Sequence, residues 1–294
     1  MSIGVKNLKK FLKICLSIFI LATSLVVAYL HMTEIAPHQL RVRYESISSS
    51  EIPADLDGIK IVFFSDVHFN GFVDDVRFEN LINAINNQYS DVVLFGGDLF
   101  DHPANRIPDE ATIEKATEFL SRINAPLGKF AVLGNHDLES NDARDKIKAI
   151  LEEADFELIT NRNIRLRNHG FGSIALVGID SEMLGYPDLE AALADIQPSD
   201  FTLAICHTPD TVLKVPDAMV DLFLAGHGHG GQVYFPIFGA YYKAKYAEEH
   251  YRGKHRIGGI LLDVTNGVGT TKMDIRFLAS AEIVVYTLHS QPTP

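Results

Sequence analysis

The sequence predicts an α/β protein whose sheets are buried on both faces, preceded by one membrane-spanning helix. Three observations carry that expectation. Six apolar runs, IKIVFFSD, DVVLFGGD, KFAVLGNHD, SIALVGID, FTLAICH and DLFLAGHGHG, each stop at a polar cluster. Short runs rich in Val, Ile, Leu and Phe are what strands covered on both faces require. Helical stretches over 78–89, 109–123 and 142–154 alternate with the early runs, the pattern of an α/β chain. The third observation is an uncharged apolar segment near the N-terminus.

That segment, Ile14 to Leu30, reads ICLSIFILATSLVVAYL and holds no charge, Gly or Pro. A bilayer core needs about 20 apolar helical residues, with ~17 near the lower limit. Phe11 and Leu12 extend the segment, with Lys13 snorkelling to the interface. Lys6, Lys9, Lys10 and Lys13 precede it and no Lys or Arg follows for ten positions. This asymmetry predicts a cytoplasmic N-terminus and an exported body at the inner membrane. A cleaved signal peptide is the rival reading, with Val26 and Ala28 as a small-residue site before Tyr29. Residues 1–31 are thus read as a basic leader and transmembrane anchor. Residues 32–58 read as a tether that becomes an edge strand at 41–46, and 59–294 as the catalytic domain.

Within the body, Pro108 and Asp109 are suited to start the second helix. Beyond Gly226 the pattern turns strand-rich, with GGQVYF, GGILLDV and EIVVYTL between Gly-rich loops. The chain carries 38 acidic against 26 basic side chains, a net −12. The four leader lysines leave 22 basic against 38 acidic beyond them, a body of −16. Such a surface argues against binding nucleic acid by counterion release, which needs excess Lys and Arg. Cys15 and Cys206 cannot form a disulfide framework and read as two buried free thiols.

The polar residues at the ends of these runs carry the chemistry. Asp66, Asp98, Asn135, His207 and His227 stand just past strand ends, and loops at strand carboxyl ends converge on one crevice. In order the chain reads Asp66-Val-His68, Gly97-Asp98-Leu-Phe-Asp101, Gly134-Asn135-His136-Asp137, His207 and Gly226-His227-Gly-His229. Carboxylate, amide oxygen and imidazole suit divalent Mn, Fe or Zn. Singly each motif is weak, and a lone strand histidine is commonly a hydrogen-bonded core residue.

Together, in this order, the motifs resemble the calcineurin-like metallophosphoesterase superfamily, with its DxH…GDxxD…GNH[DE]…H…GHxH pattern, from residue 59 onward. His207-Thr-Pro209-Asp210, the Gly-Gly-Gln after His229 and the late Arg276…Glu282 resemble the membrane-associated phosphodiesterase subgroup. The resemblance implies a four-layer αββα sandwich of two mixed sheets, with the site at one edge. It implies two divalent metals, with Asp66, His68 and His229 on one, Asn135, His207 and His227 on the other, and Asp98 bridging. Their implied task is in-line attack of a bridging hydroxide on a phosphodiester or phosphomonoester. His136 is implied as the acid for the leaving oxygen, with Asp101 orienting its imidazole. Two divalent ions against Asp66, Asp98 and one hydroxide leave about +1 facing the phosphate. Gly228 departs from the commoner Thr or Ser, which would leave the ligands alone but loosen the loop.

Asp137 reads either as an unassigned site acid or as the N-cap of the next helix. The basic, aromatic segment YYKAKYAEEHYRGKHR, Tyr241 to Arg256, reads either as a solvated hairpin or as a lid that grips phosphate or meets a lipid surface. His102 is a candidate substrate contact; His31, His38, His169, His250, His255 and His289 read as exposed. Two further functions stand beside the phosphoesterase reading. One is the family branch that cleaves UDP-2,3-diacylglucosamine in lipid A synthesis, a lipid-linked pyrophosphate substrate that requires a cytoplasmic-face body. The other is an inactive scaffold, which conflicts with the full ligand set.

Overall fold

The computed structural model describes residues 2–106 and 108–291; Met1, Ile107 and residues 292–294, the outermost ends of the expected leader and catalytic domain among them, lie outside the described residues. Helix α1 (Ser2–Leu30) runs straight into a single π-helical turn at His31–Ile35. It is long and apolar enough to cross a membrane by length and composition. Its side chains from Asn7 to Val27 are exposed, as a span outside a bilayer must be. Cys15 lies exposed on it, against the expectation of burial, while Cys206 is buried.

The tether reading needs correction over part of its length. Strand β1 (Leu40–Ser49) is longer than the expected 41–46 edge strand and pairs in parallel along its whole length with β14 (Ala281–Ser290). Those ten residues form the edge strand of the first sheet and so belong to the body.

The remaining strands are β2 (Lys60–Phe64), β3 (Val92–Phe95), β4 (Lys129–Ala131), β5 (Phe156–Leu158), β6 (Arg162–Leu166), β7 (Ile174–Ile179), β8 (Thr202–Cys206), β9 (Leu222–Ala225), β10 (Tyr234–Phe235), β11 (Gly239–Ala240), β12 (Gly253–Ile257) and β13 (Ile260–Val264). They form two mixed six-stranded sheets, ordered β1-β14-β2-β3-β4-β5 and β12-β13-β9-β8-β7-β6, and the small β10–β11 hairpin. Successive residues of one strand feed different cores, as a two-residue period demands. In β2, Ile61 and Phe63 point between the sheets against Leu203, Leu224 and Tyr286. Val62 and Phe64 face the opposite way, toward Phe78, Leu81 and Leu120.

Those last residues belong to helices α2 (Asp75–Asn86) and α3 (Glu110–Ser121), which with α4 (Asn141–Glu153) cover the first sheet. Each begins at a side chain that accepts a backbone N–H, Asp74, Asp109 and Ser140 respectively. Ser140, not Asp137, therefore caps α4. The fourth layer is thin. Among the described residues, the helical cover on the outer face of the second sheet is the one-turn α5 (Leu189–Ala192) and a 3-10 turn at Pro209–Lys214, packed with loop residues such as Ile196 and Val220.

Phe63 is fully buried between the sheets, whereas Phe171 is 99% exposed. Phe63→Ala is expected to cost about 3–5 kcal/mol, and Phe171→Ala less than about 0.5 kcal/mol. Urea midpoints of the two variants check this difference.

Candidate metal centre

The carboxyl ends of β2, β3, β8 and β9 lie side by side, and the chain leaves β2, β3 and β9 through left-handed backbone. Asp66 (φ 56°), His68 (50°), Asp98 (60°), His227 (64°) and His229 (47°) all hold a backbone region that non-glycine residues avoid. Such positions cost about 1–3 kcal/mol each and persist only where surroundings fix them. Here backbone N–H groups do so. His227 N donates to both Asp66 carboxylate oxygens, at 3.1 and 3.0 Å, and His136 N donates to Asp98 Oδ1 at 2.8 Å. Asp137 is wholly buried and accepts the N–H groups of Asp98, Leu99 and Gly134, clamping two ligand loops together. Burial and the neighbouring Asp98 push its carboxyl up to about 6. Gly134 is required at this clamp, because a Cβ would lie 2.1 Å from Asp98 Oδ1.

All seven predicted ligands meet. Asp66, His68 and His229 form one cluster and Asp98, His207 and His227 another, each with ligand atoms within 4.8 Å of one another. Asn135 Oδ1 joins the second, 3.1 Å from His207 Nε2. Asp98 Oδ2 lies 3.2 Å from His207 Nε2 and 3.8 Å from His68 Nε2, between the two groups.

The far nitrogens of the histidines show that this donor set fits cations. His207 Nδ1 donates to Gly96 O (2.8 Å), His227 Nε2 to Lys245 O (2.8 Å) and His229 Nδ1 to Gly269 O (3.2 Å). Each carbonyl takes one ring N–H and turns the other ring nitrogen toward carboxylate or amide oxygens, the face a metal would bind. His229 Nε2 faces Asp66 Oδ1 at 3.4 Å and His68 Nε2 at 3.1 Å. Acceptors converging on acceptors are stabilised by a metal ion between them. Burial, above all, pushes His227 down to about 4 and His229 to about 3, so both are neutral donors near pH 7. Burial alone would raise Asp98, but His207 and His136 outweigh it and hold the carboxylate well below its usual range.

Asp101 departs from its expected contact. The expectation places it at His136, yet its Oδ1 lies 3.5 Å from His68 Nδ1; both atoms are buried and have no other partner. It therefore orients a metal-site histidine. The acid at His136 is Glu139, whose Oε1 lies 2.8 Å from His136 Nδ1, off the straight line of a hydrogen bond. The same oxygen accepts a hydrogen bond from His102 Nδ1 at 2.8 Å, and the two imidazoles meet edge to face at 4.2 Å. The sequence carried a signal for this contact in the His136-x-x-Glu139 spacing, which one turn brings together. Burial would lower His136, but Asp98 and then Glu139 outweigh it and raise the imidazole to about 9.

Two more residues that the sequence left without a role shape the site. Arg276 is fully buried and donates to the carbonyls of Asn266, Gly267, Gly269 and Ala279. It thereby fixes the loop whose Gly269 O holds His229. Asp210 accepts the N–H groups of Glu249 and His250 and the His250 ring, which makes His250 buried rather than exposed.

The segment 241–256 is neither a free hairpin nor wholly a lid. Residues 253–257 are strand β12, and 241–252 roof the site, with Lys245 O on His227. Gly228 permits this closure: a Cβ there would lie 2.5 Å from Tyr251 O. The glycine thus tightens the loop it was expected to loosen. Under the roof lies a chamber of about 430 Å³ that reaches from Asp98 and His136 to Tyr241, Tyr242, Met273 and Ile275.

Two sheets converging such donors on one crevice define a metal-dependent phosphoester hydrolase. The family model for calcineurin-like phosphoesterases matches residues 59–231, and the chain belongs to that family. It is 34% identical to the uncharacterized metallophosphoesterase YkuE of Bacillus subtilis (strain 168), over 86% of this chain and 87% of that one. It is 24% identical to UDP-2,3-diacylglucosamine pyrophosphatase LpxG of Chlamydia trachomatis serovar D, over 72% and 75% of the two chains. Among solved structures, a dimetal phosphatase from Danio rerio aligns with a TM-score of 0.43 and 11% identity, over 72% of this chain and 88% of that one.

The contacts of Asp101 and Glu139 give opposite expectations for two variants. Asp101→Asn should weaken metal binding about 10- to 100-fold, as loss of a partner behind a ligand does. Glu139→Gln should spare metal content and slow alkyl esters about 10- to 100-fold, while p-nitrophenyl esters, which leave without a proton, change little. An acid raised to about 9 is protonated below that pH and lost above it. Removing Glu139 should therefore move the alkaline limb of the pH–rate profile to lower pH. Metal analysis and rates across leaving groups check both.

Proposed function

We propose that the protein is a dinuclear metal-dependent phosphoesterase anchored in the inner membrane. The carrying observation is Asp98, whose Oδ2 lies within 3.8 Å of a histidine from each cluster, where a bridging carboxylate belongs. Asp66, His68 and His229 would hold one ion, and Asn135, His207 and His227 the other. When bound, the ions supply an activated water as nucleophile and neutralise charge on the phosphoryl oxygens. The chain does the rest. His136 Nε2, 3.9 Å from Asp98 Oδ2, holds a proton beside the centre for the leaving oxygen. Glu139 lies beside the Nδ1 of that ring as its charge partner, and His102, sharing Glu139, borders the chamber. Lys245 and Lys272 at the chamber wall offset the acidic body for an anionic substrate.

The full chain with Mn is expected to hydrolyse bis(p-nitrophenyl) phosphate, and Asp98→Ala and Asn135→Ala should nearly abolish turnover. Absence of metal-stimulated hydrolysis of mono-, di- and pyrophosphoesters would overturn the proposal.

A second reading is a lipid-linked pyrophosphatase of the UDP-2,3-diacylglucosamine kind. The apolar chamber wall at Met183, Leu184, Met273 and Ile275 supports it, as does the likeness to LpxG. The lysines that precede the apolar stretch of α1 argue for an exported body, whereas a nucleotide-linked substrate would be cytoplasmic. A C-terminal reporter fusion separates the two: an exported signal is expected, and a cytoplasmic one favours the pyrophosphatase.

A further inference from the structure

The β10–β11 hairpin stands apart from the sheets and carries an unusual tip. Ile237 is 88% exposed, Phe238 86% and the following Tyr241 81%. Large apolar side chains rarely gather so on a surface that faces only water. The hairpin is nonetheless firmly seated. Tyr234 N donates to Phe277 O (2.9 Å), Phe277 N donates to Gln232 O (2.9 Å), and the rings of Phe235 and Phe277 lie 5.3 Å apart. The same short segment touches the apolar helix. Arg276 N donates to Met32 O at 3.0 Å, and Phe277 closes a groove along α1 with Phe19, Ile20, Val27 and Ala28. Hairpin tip, segment 276–278 and the end of α1 therefore form one continuous surface, with Leu278 also exposed on it.

Behind this surface lies the chamber. Met183, Leu184, Val233, Ala244, Met273 and Ile275 make its apolar wall, and the metal-site residues close its far end. Gln232 ties the hairpin to that wall, because its side chain bonds the backbone of Thr271 and Met273. Lys272 stacks over Tyr242 at 3.9 Å and Lys245 over Tyr246 at 4.7 Å, which puts cations and phenols around the mouth. Aromatic rings with polar tips and lysines are the side chains that settle at lipid headgroups.

We propose that the hairpin tip lies in the bilayer interface beside α1, and that the chamber takes a phosphoester carrying a hydrocarbon chain drawn from the lipid phase. The occupant of this face is the bilayer rather than a protein because the face is continuous with α1, whose own exposed surface requires hydrocarbon. The inference rests on the phosphoesterase reading for the chemistry at the chamber's far end. It adds where the substrate comes from and what its apolar part touches.

The chain contains no tryptophan, so Phe238→Trp introduces a single indole. In the full chain, reconstituted into phosphatidylcholine nanodiscs, its emission should be blue-shifted and quenched by brominated acyl chains. Phe171→Trp, in the loop before β7 at the opposite end of the sheet, should emit as in water and resist quenching. Water-like, unquenched emission from Phe238→Trp, or a chain that does not enter the discs, overturns the docking. On the same Mn-loaded discs, corrected against empty ones, binding should tighten from butyl through octyl to dodecyl phosphate, by up to about fourfold per buried methylene. Met273→Asp/Ile275→Asp should remove most of that gain. Equal dodecyl-to-butyl ratios in wild type and variant overturn the chain-binding chamber. Neither readout requires turnover, so an inert enzyme that passes both would refute the phosphoesterase reading alone.

Discussion

The structure depends on one electrostatic arrangement, the convergence of bare lone pairs and carboxylates at the ends of four buried strands. Water is largely excluded there, so the groups cannot be solvated individually. Their mutual repulsion is relieved by a cation or by protons. His207 shows the proton solution: burial opposes its charge, but Asp98 and then Asp66 raise it to about 9. His227 and His229 show the opposite, remaining neutral and ready as ligands. A metal ion resolves both at once, because it needs deprotonated imidazole and ionised carboxylate together.

Holding that arrangement takes most of the surrounding architecture. Five candidate ligands in left-handed backbone conformations would relax if the loops were free. The two sheets prevent this by presenting rigid strand ends from both sides of the crevice, and buried polar residues lock the loops between them. Asp137 joins the loops of Asp98 and Asn135, Arg276 shapes the loop behind His229, and Asp210 holds the roof that meets His227. Each is a charged group whose hydrogen-bond partners are chiefly backbone, so each fixes a path of chain rather than a neighbouring side chain.

The roof and the hairpin add the features that separate this site from a bare metal cleft. Gly228 lets the segment 241–252 descend onto the histidines, and the descent encloses an apolar volume beside a strongly polar centre. Phosphate chemistry and hydrocarbon contact are therefore possible within one chamber. The same loops reach α1 through Arg276 and Phe277, so site and apolar helix share a face.

Much of this was legible in the sequence. The apolar runs located β2, β3, β4, β7, β8 and β9, and the residues just past five of them named candidate ligands that the fold brings together. Residue type and order suffice there, because a strand buried on both faces must be apolar throughout and its polar successor must leave the sheet. The helices and the basic, apolar leader were equally local readings. What the sequence could not decide were partnerships across loops. Asp101 follows Asp98 in one loop and Glu139 follows His136 in another, and only the path of the turn after Asn135 gives His136 to Glu139 and leaves Asp101 to His68. Asp137 looked like a helix cap until Ser140 took that place. β1 was legible as a short edge strand at 41–46 but not at its full length, because its partner, β14, lies more than two hundred residues away. Local pattern determined the elements and the donor set of this protein. Tertiary structure alone decided which acid serves which histidine, since that depends on where separate loops come to rest against one another.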